Sequence, residues 1–310
     1  MSRDDGVVTI AGVTVVIETD RLTKRYGKAR GIDQLSLSLR QGEIFGFLGP
    51  NGAGKTTTIR TLLDFLHPTS GSARLFGLDS RRDSRAIRAR VGNLPGDFAY
   101  DDRMTGRDLL GFFARMRGMR GLGCAQALSE RFEADLSRPL GELSRGNRQK
   151  VGLIQALFHE PELLILDEPT TGLDPLMQEE FLAVVREHRD RGGAAFLSSH
   201  DLDEVERVCD RVGIIRSGRL AAVEAVDDMR DQAYRTVSVR FAEPVDALHL
   251  EPPANVQDLE IDQATVRFRV RGDLDATIKT LARHHVVDIE ITRPTLEELF
   301  LTYYETDVQP

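Results

Sequence analysis

The sequence is poor in the residues that build covalent or metallic scaffolds. Its 310 residues include two cysteines, Cys124 and Cys209, and no tryptophan. Neither cysteine sits in a CxxC pair or at a metal-ligand spacing. A disulfide framework and a zinc site are therefore excluded, and both thiols read as buried or half-buried. Long apolar runs are also missing. The best, residues 151–158 and 163–166, fall well short of the 18 or so residues that cross a bilayer. The opening MSRDDGVVTIAG carries acids where a secretory leader needs bases and a long apolar stretch. We therefore expect a chain that stays in the cytosol and needs a separate spanning subunit for any membrane role. A polybasic stripe is absent too, which argues against nucleic acid as a partner. Glycine and proline, 27 and 12 residues, are too few for a collagen-like or low-complexity chain.

What is present is a globular composition, 41% hydrophobic and 29% charged. The length suggests two domains. The net charge of −8 is uneven, since residues 231–310 alone carry −7. Among 41 basic residues only five are lysine, so a lysine inside a motif is rarer by chance here than in most chains.

Periodicity gives a coarse map. Strands are expected at 13–18, 35–39 and 44–48, and a helix at 55–66 that ends in the turn chemistry of His67-Pro68-Thr69-Ser70-Gly71. Short strands follow at 73–76 and 91–94. Residues 105–159 read mostly helical, with Leu109, Phe112, Phe113 and Met116 on one helix face. Beyond them strands (162–166, 194–197, 212–216, 220–223) alternate with helices (175–190, 201–209). Such alternation predicts a largely parallel sheet covered by helices. Composition shifts near Gln232. Alternating strands at 237–241 and 265–270, a helix at 274–283 and a strand at 286–291 describe a small α+β domain. Thr295-Leu296-Glu297-Glu298 is a capping-box pattern that opens a last amphipathic helix carrying Leu296, Leu299, Phe300 and Tyr303.

Chemistry concentrates at two places. Gly49-Pro50-Asn51-Gly52-Ala53-Gly54-Lys55-Thr56 fits GxxxxGK[ST], follows an apolar strand and opens a helix. Glycines let backbone N–H groups turn onto a polyphosphate, and the helix N-terminus adds the positive end of its dipole. Lys55 then brings a cation to the β- and γ-phosphates, and the Thr56 hydroxyl is placed to ligate Mg²⁺. Further on, the buried strand Leu163-Leu164-Ile165-Leu166 ends in Asp167-Glu168. Asp167 suits Mg²⁺, and Glu168 suits polarising an attacking water. His200 ends the next sheet strand and is placed to reach the γ-phosphate edge. None of the other six histidines is so placed.

Between these motifs lies Leu143-Ser144-Arg145-Gly146-Asn147-Arg148-Gln149-Lys150. The ordered set resembles the ATPase subunits of ABC transporters over about residues 14–225. The resemblance implies an α/β fold, a P-loop NTPase core of ABC ATPase type with a mixed sheet and a helical subdomain over residues 1–231. A small C-terminal α+β domain over 232–310 completes the expected chain. It also implies ATP and Mg²⁺ as cofactors, with Tyr26, Gly49, Asn51, Gly52, Ala53, Gly54, Lys55, Thr56 and Thr57 at the nucleotide. Thr56 and Asp167 would hold the metal, and Glu168 and His200 would be catalytic. Ser144, Arg145, Gly146 and Asn147 match the signature that faces the nucleotide of a second subunit, and Asp174, in Thr171-Gly172-Leu173-Asp174, matches the D-loop. Tyr26 has two readings, a core tyrosine or the ring that stacks on adenine.

The match has departures. Gly96 stands where the family has a glutamine that touches Mg²⁺ and couples to the permease, and Asp97 is the neighbouring substitute. The signature reads LSRGN. Arg145 is either a phosphate ligand or a solvated helix-end charge. Phe112 and Phe113 are either core or, with Phe98 and Tyr100, a docking surface for a permease. Arg293-Pro294-Thr295-Leu296-Glu297-Glu298-Leu299-Phe300-Leu301 resembles the end of daunorubicin- and bacitracin-type export ATPases. The expected function is thus the motor of an ABC exporter for drugs or antibiotics, working as a homodimer on the cytoplasmic face of the membrane. An importer motor and a non-transport ABC ATPase are the alternatives.

Overall fold

A computed structural model describes residues 9–10, 13–27, 29–97, 100–232, 234–244 and 255–292. Its contacts divide the chain into two compact units, Met1–Val223 and Glu224–Pro310. The expected boundary of 231/232 lies eight residues beyond that division.

The first unit opens with strands β1 (Thr9–Ile10), β2 (Val13–Tyr26), β3 (Ala29–Leu35) and β4 (Ser38–Arg40). Next come β5 (Ile44–Leu48), α1 (Lys55–Leu62), β6 (Ser70–Leu75), β7 (Leu78–Asp79), α2 (Ser84–Arg90) and β8 (Val91–Leu94). A helical stretch holds α3 (Gly106–Met116), α4 (Ala125–Arg131), the 3-10 turn Leu140–Glu142 and α5 (Arg145–Leu157). Then strands and helices alternate: β9 (Leu163–Asp167), α6 (Pro175–Asp190), β10 (Ala194–Ser199), α7 (Leu202–Val208), β11 (Arg211–Arg216) and β12 (Arg219–Ala225).

The largely parallel sheet has the order β12-β11-β5-β10-β9-β8, with β11, β5, β10, β9 and β8 parallel and β12 joined to β11 by a two-residue turn at its edge. β5 and β9 are buried at every position, which is why they read as unbroken apolar runs and not as alternating ones. Register sets the site. Ser199 pairs with Leu48 and Ser198 with Asp167, so the C-terminal ends of β5, β9 and β10 lie side by side. The chain leaves this one edge three times, into the glycine loop, into Glu168 and into His200. Crevices at the carboxyl ends of parallel strands are the usual ligand sites of such sheets.

The alternation of strands and helices describes this sheet but not its neighbour. β2, with β1, β3, β4, β6 and β7, forms a separate antiparallel sheet. At 14 residues β2 runs well past the expected 13–18, because it pairs with four strands along its length, with register shifts against β3, β4 and β6. The helical stretch is anchored by close backbone approach. A Cβ on Gly92 of β8 would lie 2.0 Å from the Ala156 carbonyl, so α5 rests directly on the sheet. In α3 a capping box, Thr105 with Asp108, sets the start. Its buried face is Gly106, Leu109, Leu110 and Ala114, so Leu109 of the expected face is buried, while Phe112 and Met116 are exposed. The core reading of Phe112 is therefore overturned. Phe98 lies outside the described residues.

The second unit contains α8 (Val226–Gln232), β13 (Arg235–Phe241), β14 (Val256–Asp262), β15 (Thr265–Val270), α9 (Asp275–Leu281) and β16 (Val286–Thr292). Its antiparallel sheet, β14-β15-β13-β16, gathers Val237, Val239, Phe241, Val266, Phe268 and Val270 with Leu281 from α9 into one core. β14 escapes sequence reading because a register shift between Gln257 and Glu260, with Asp258 at φ +52°, breaks its alternation. The expected helix at 295–303 and the segment 293–301 lie outside the described residues. Both cysteines are free, Cys124 half-buried and Cys209 buried. No helix among the described residues is long and apolar enough to cross a membrane.

Candidate functional site

The loop from β5 to α1 is folded by close contacts that exclude side chains. A Cβ on Gly49 would meet the Ile215 carbonyl of β11 at 2.4 Å, and one on Gly54 the Gly31 carbonyl at 2.7 Å. Gly54 also takes φ +116°, a conformation that side chains avoid. It precedes α1 without any side-chain cap, so the first N–H groups of α1 stay available to an anion.

Lys55 is buried behind this loop. Its Nζ donates to the Gly49 carbonyl at 2.5 Å and stands 3.1 Å from Glu168 Oε1. Asp167, 1% exposed, accepts a hydrogen bond from the Thr56 hydroxyl at 2.7 Å on one oxygen and from Ser198 at 2.5 Å on the other. Glu168 turns out of β9 with φ +53°, a left-handed conformation rare outside glycine. Its N–H donates to the Ser198 carbonyl, and its Oε2 is bonded to His200 Nδ1. Lys55, Glu168 and His200 thus form one chain across the three strand ends.

These groups open on a cavity of about 860 Å³. Tyr26, Asn51, Gly52, Gly54, Lys55, Thr56, Thr57, Asp167, Glu168 and His200 all line it, as do Gly96 and Asp97. Tyr26 is 46% exposed, which excludes a core role. Gly49 and Ala53 do not line the cavity. Gly49 faces β11, and Ala53 is buried behind the loop. Of the four signature residues, Arg145 reaches the cavity of its own chain. The Ser144 hydroxyl accepts from the Asn147 N–H at 3.2 Å and caps α5. Gly146 is packed so that a Cβ would lie 2.6 Å from the Gly172 carbonyl. Asp174 caps α6 by accepting from the Met177 N–H.

The candidate site residues left out Gly31, Pro50, Arg148, Gln149 and Thr171, which also line the cavity, although all but Gly31 stand inside the motifs. Arg148 and Gln149 had a signal, since positions three and four beyond Arg145 share its helix face. Gln149 donates to the Pro169 carbonyl at 2.9 Å and so ties α5 to the turn after Glu168. Gly31 had none. It is glycine because a Cβ would press on the Tyr26 ring at 2.9 Å and the Thr57 methyl at 3.1 Å.

The donor set also bears on metal. Thr56 and Asp167 offer two hard oxygens at one point, and Gly96 leaves open the space beside Asp167 Oδ2, 3.0 Å from where a Cβ would stand. That fits a small hard cation that keeps several waters and takes its remaining ligands from a phosphate. Among the described residues no cluster of three or more His, Cys, Asp or Glu is arranged to hold a metal unaided.

Comparison with known proteins matches residues 32–171 to the family model described as ABC transporter. The chain is 35% identical over 258 residues to the bacitracin transport ATP-binding protein BcrA of Bacillus licheniformis, covering 81% of this chain and 83% of that protein. It is 34% identical over 298 residues to the daunorubicin resistance ATP-binding protein DrrA3 of Streptomyces coeruleorubidus, covering 92% and 94%. A solved ATP-binding subunit of an ABC transporter superposes with a TM-score of 0.65 at 29% identity, covering 69% of this chain and 92% of that one.

Proposed function

The chain belongs to the ATP-binding proteins of ABC transporters and is an ATPase, and we propose that it is the motor subunit of an exporter of drug- or antibiotic-type compounds. The observation that carries the reading is the convergence of Lys55, Thr56, Asp167, Glu168 and His200 on one cavity. The drug-type substrate class rests on the bacitracin and daunorubicin relatives.

In this reading the glycine loop and Lys55 hold the polyphosphate, and the Tyr26 face takes the adenine. Mg²⁺, held by Thr56 and Asp167, would neutralise charge on the β- and γ-phosphate oxygens. Glu168 accepts the proton of the attacking water. His200 keeps the Glu168 carboxylate turned toward the phosphate end, and Lys55 leaves its contact with Glu168 for the phosphates. Ser144, Gly146 and Asn147 with Asp174 face a second copy of the chain, and Arg145 adds a cation to the phosphate region. A separate membrane permease docks on α3, where Phe112 and Met116 are exposed. The subunit then sits at the cytoplasmic face, and nucleic acid is not a partner.

The test is co-purification of a tagged Glu168→Gln variant from its native cells in detergent with Mg·ATP. Slowed hydrolysis should hold the closed dimer, and a polytopic membrane protein should follow the tag in a fixed ratio. Ribosomes or a soluble assembly partner in its place would overturn transport and leave the ATPase standing.

A further inference from the structure

Glu204 is a buried acid without a cation. It lies in the first turn of α7, is 7% exposed, and has no ion pair among the described residues. Its Oε2 accepts two hydroxyl hydrogen bonds, from Thr170 at 3.0 Å and from Ser199 at 2.9 Å. Its Oε1 is buried and has no hydrogen-bond partner among the described residues. A residue serving packing alone would be apolar there, as Val205 and Val208 of the same helix are, because a carboxyl with an unsatisfied buried oxygen costs stability.

The identity of the two donors gives the carboxyl its significance. Thr170 lies two residues after Glu168, and Ser199 immediately precedes His200. One oxygen atom therefore clasps the segment leaving β9 to the end of β10, and those segments carry the Glu168–His200 pair. The backbone of Glu168 is left-handed and so needs surroundings that hold it. Its N–H is fixed on Ser198, and its carbonyl turn is fixed by Gln149. The Glu204 clasp supplies a third restraint, on the far side of Pro169.

We propose that Glu204 is a positioning residue for ATP hydrolysis, which sets the distance and orientation between Glu168 and His200 through Thr170 and Ser199. The proposal rests on the reading that Glu168 and His200 carry the hydrolysis. The groups that face Glu204 are Asp201 from the cap of α7, Glu168 across the clasp with His200 bonded to it, and Cys209 at the other end of α7. Burial pushes the Glu204 carboxyl up to about 7, the Ser199 and Thr170 hydroxyls pull it down, and the charges of Asp201 and Glu168 raise it further. Its charge thus changes near neutrality, next to the residue it positions.

The full chain is assayed for steady-state ATP hydrolysis between pH 6 and 8.5, with equilibrium ATP binding measured alongside. Thr170→Val should lower kcat about tenfold while KM and ATP affinity stay within about twofold, because the ATP contacts are elsewhere. Glu204→Ala should do the same or more. Glu204→Gln keeps the shape and an acceptor oxygen, so it should recover most of the rate lost in Glu204→Ala but displace the pH profile of kcat. Unchanged kcat in folded Thr170→Val with an unchanged pH profile in Glu204→Gln would overturn the proposal, as would parallel losses of kcat and ATP affinity. Glu168→Gln is the control that separates the two levels. If it abolishes turnover while the clasp variants are silent, the positioning role alone fails. If it leaves turnover intact, the reading of the site fails and the clasp with it.

Discussion

Lys55 is the residue whose loss should be felt first. Buried against the Gly49 carbonyl, it is paired with Glu168, and in the proposed function its cation exchanges that anion for a phosphate group. Lys55→Ala removes charge-assisted hydrogen bonds of about 1.5–3 kcal/mol, so ATP affinity should fall about 100-fold. Titration with a fluorescent ATP analogue reads it directly, and near-normal affinity would overturn the phosphate role. A second prediction at this scale concerns protons. The raised Glu204 carboxyl binds its proton in the native state between about 4.5 and 7, where the unfolded chain has lost it, so this group's stabilisation is full below 4.5 and declines as pH rises to 7. His159 works the other way. Burial first, and the Arg117 charge second, lower it to about 4, so the native state resists its protonation and stability is lost as pH falls from 6.5 to 4. The two slopes oppose one another between 4.5 and 6.5. Glu204→Gln removes the first and leaves the second. Its unfolding free energy, relative to the parent, should therefore rise by about 3 kcal/mol between pH 4.5 and 7 in denaturant titrations. A pH-independent difference would show that Glu204 titrates alike in both states. That Lys55, Asp167 and Glu168 meet at one place was legible because the motifs that carry them have short, fixed spacings. Glu204 was not, because its partners Thr170 and Ser199 are 34 and 5 residues away and meet it only through the sheet.

At the scale of elements, α5 carries Arg145, Arg148 and Gln149 to the cavity from a start fixed by the Ser144 hydroxyl. Ser144→Ala leaves the Asn147 N–H without that acceptor, at a cost of about 1 kcal/mol. The thermal midpoint of the nucleotide-free chain should drop by about 2–4 °C. No change would mean that Ser144 acts only toward a second copy. Strand ends and helix starts were readable where caps and glycines mark them, as in α6, where Asp174 and Pro175 give both cap and first turn. The end of α1 was not. His67-Pro68 suggested a stop after 66, yet the helix closes at Leu62 because Asp64 takes φ +59° and ends it in the left-handed manner usual for glycine. A short polar side chain in that conformation leaves no pattern to read. α2 was missed for a related reason, since Ile87 is its one buried residue and a lone apolar position has no period.

For the whole molecule, the composition shift near Gln232 pointed to two cores, and the contacts divide at Val223–Glu224. Among the described residues, the second unit joins β13, β14, β15 and β16 in one sheet and packs them on its own apolar cluster. Deleting residues 232–310 keeps β12 whole at the edge of the parallel sheet and leaves the cavity lining intact. The truncated chain should fold and bind ATP with affinity close to that of the full protein. Solubility is a poor readout for this experiment. The deletion removes 14 acids and 8 bases, so net charge falls in magnitude from −8 to −2, and a chain near neutrality associates more readily whatever the state of its core. The informative quantity is the rise in thermal midpoint on adding Mg·ATP, which depends on an intact site and on ligand concentration relative to Kd. An unchanged rise shows that residues 1–231 hold the nucleotide site unaided. Its loss, in truncated protein that stays monomeric at moderate salt, would show that residues beyond 231 complete the core or the site.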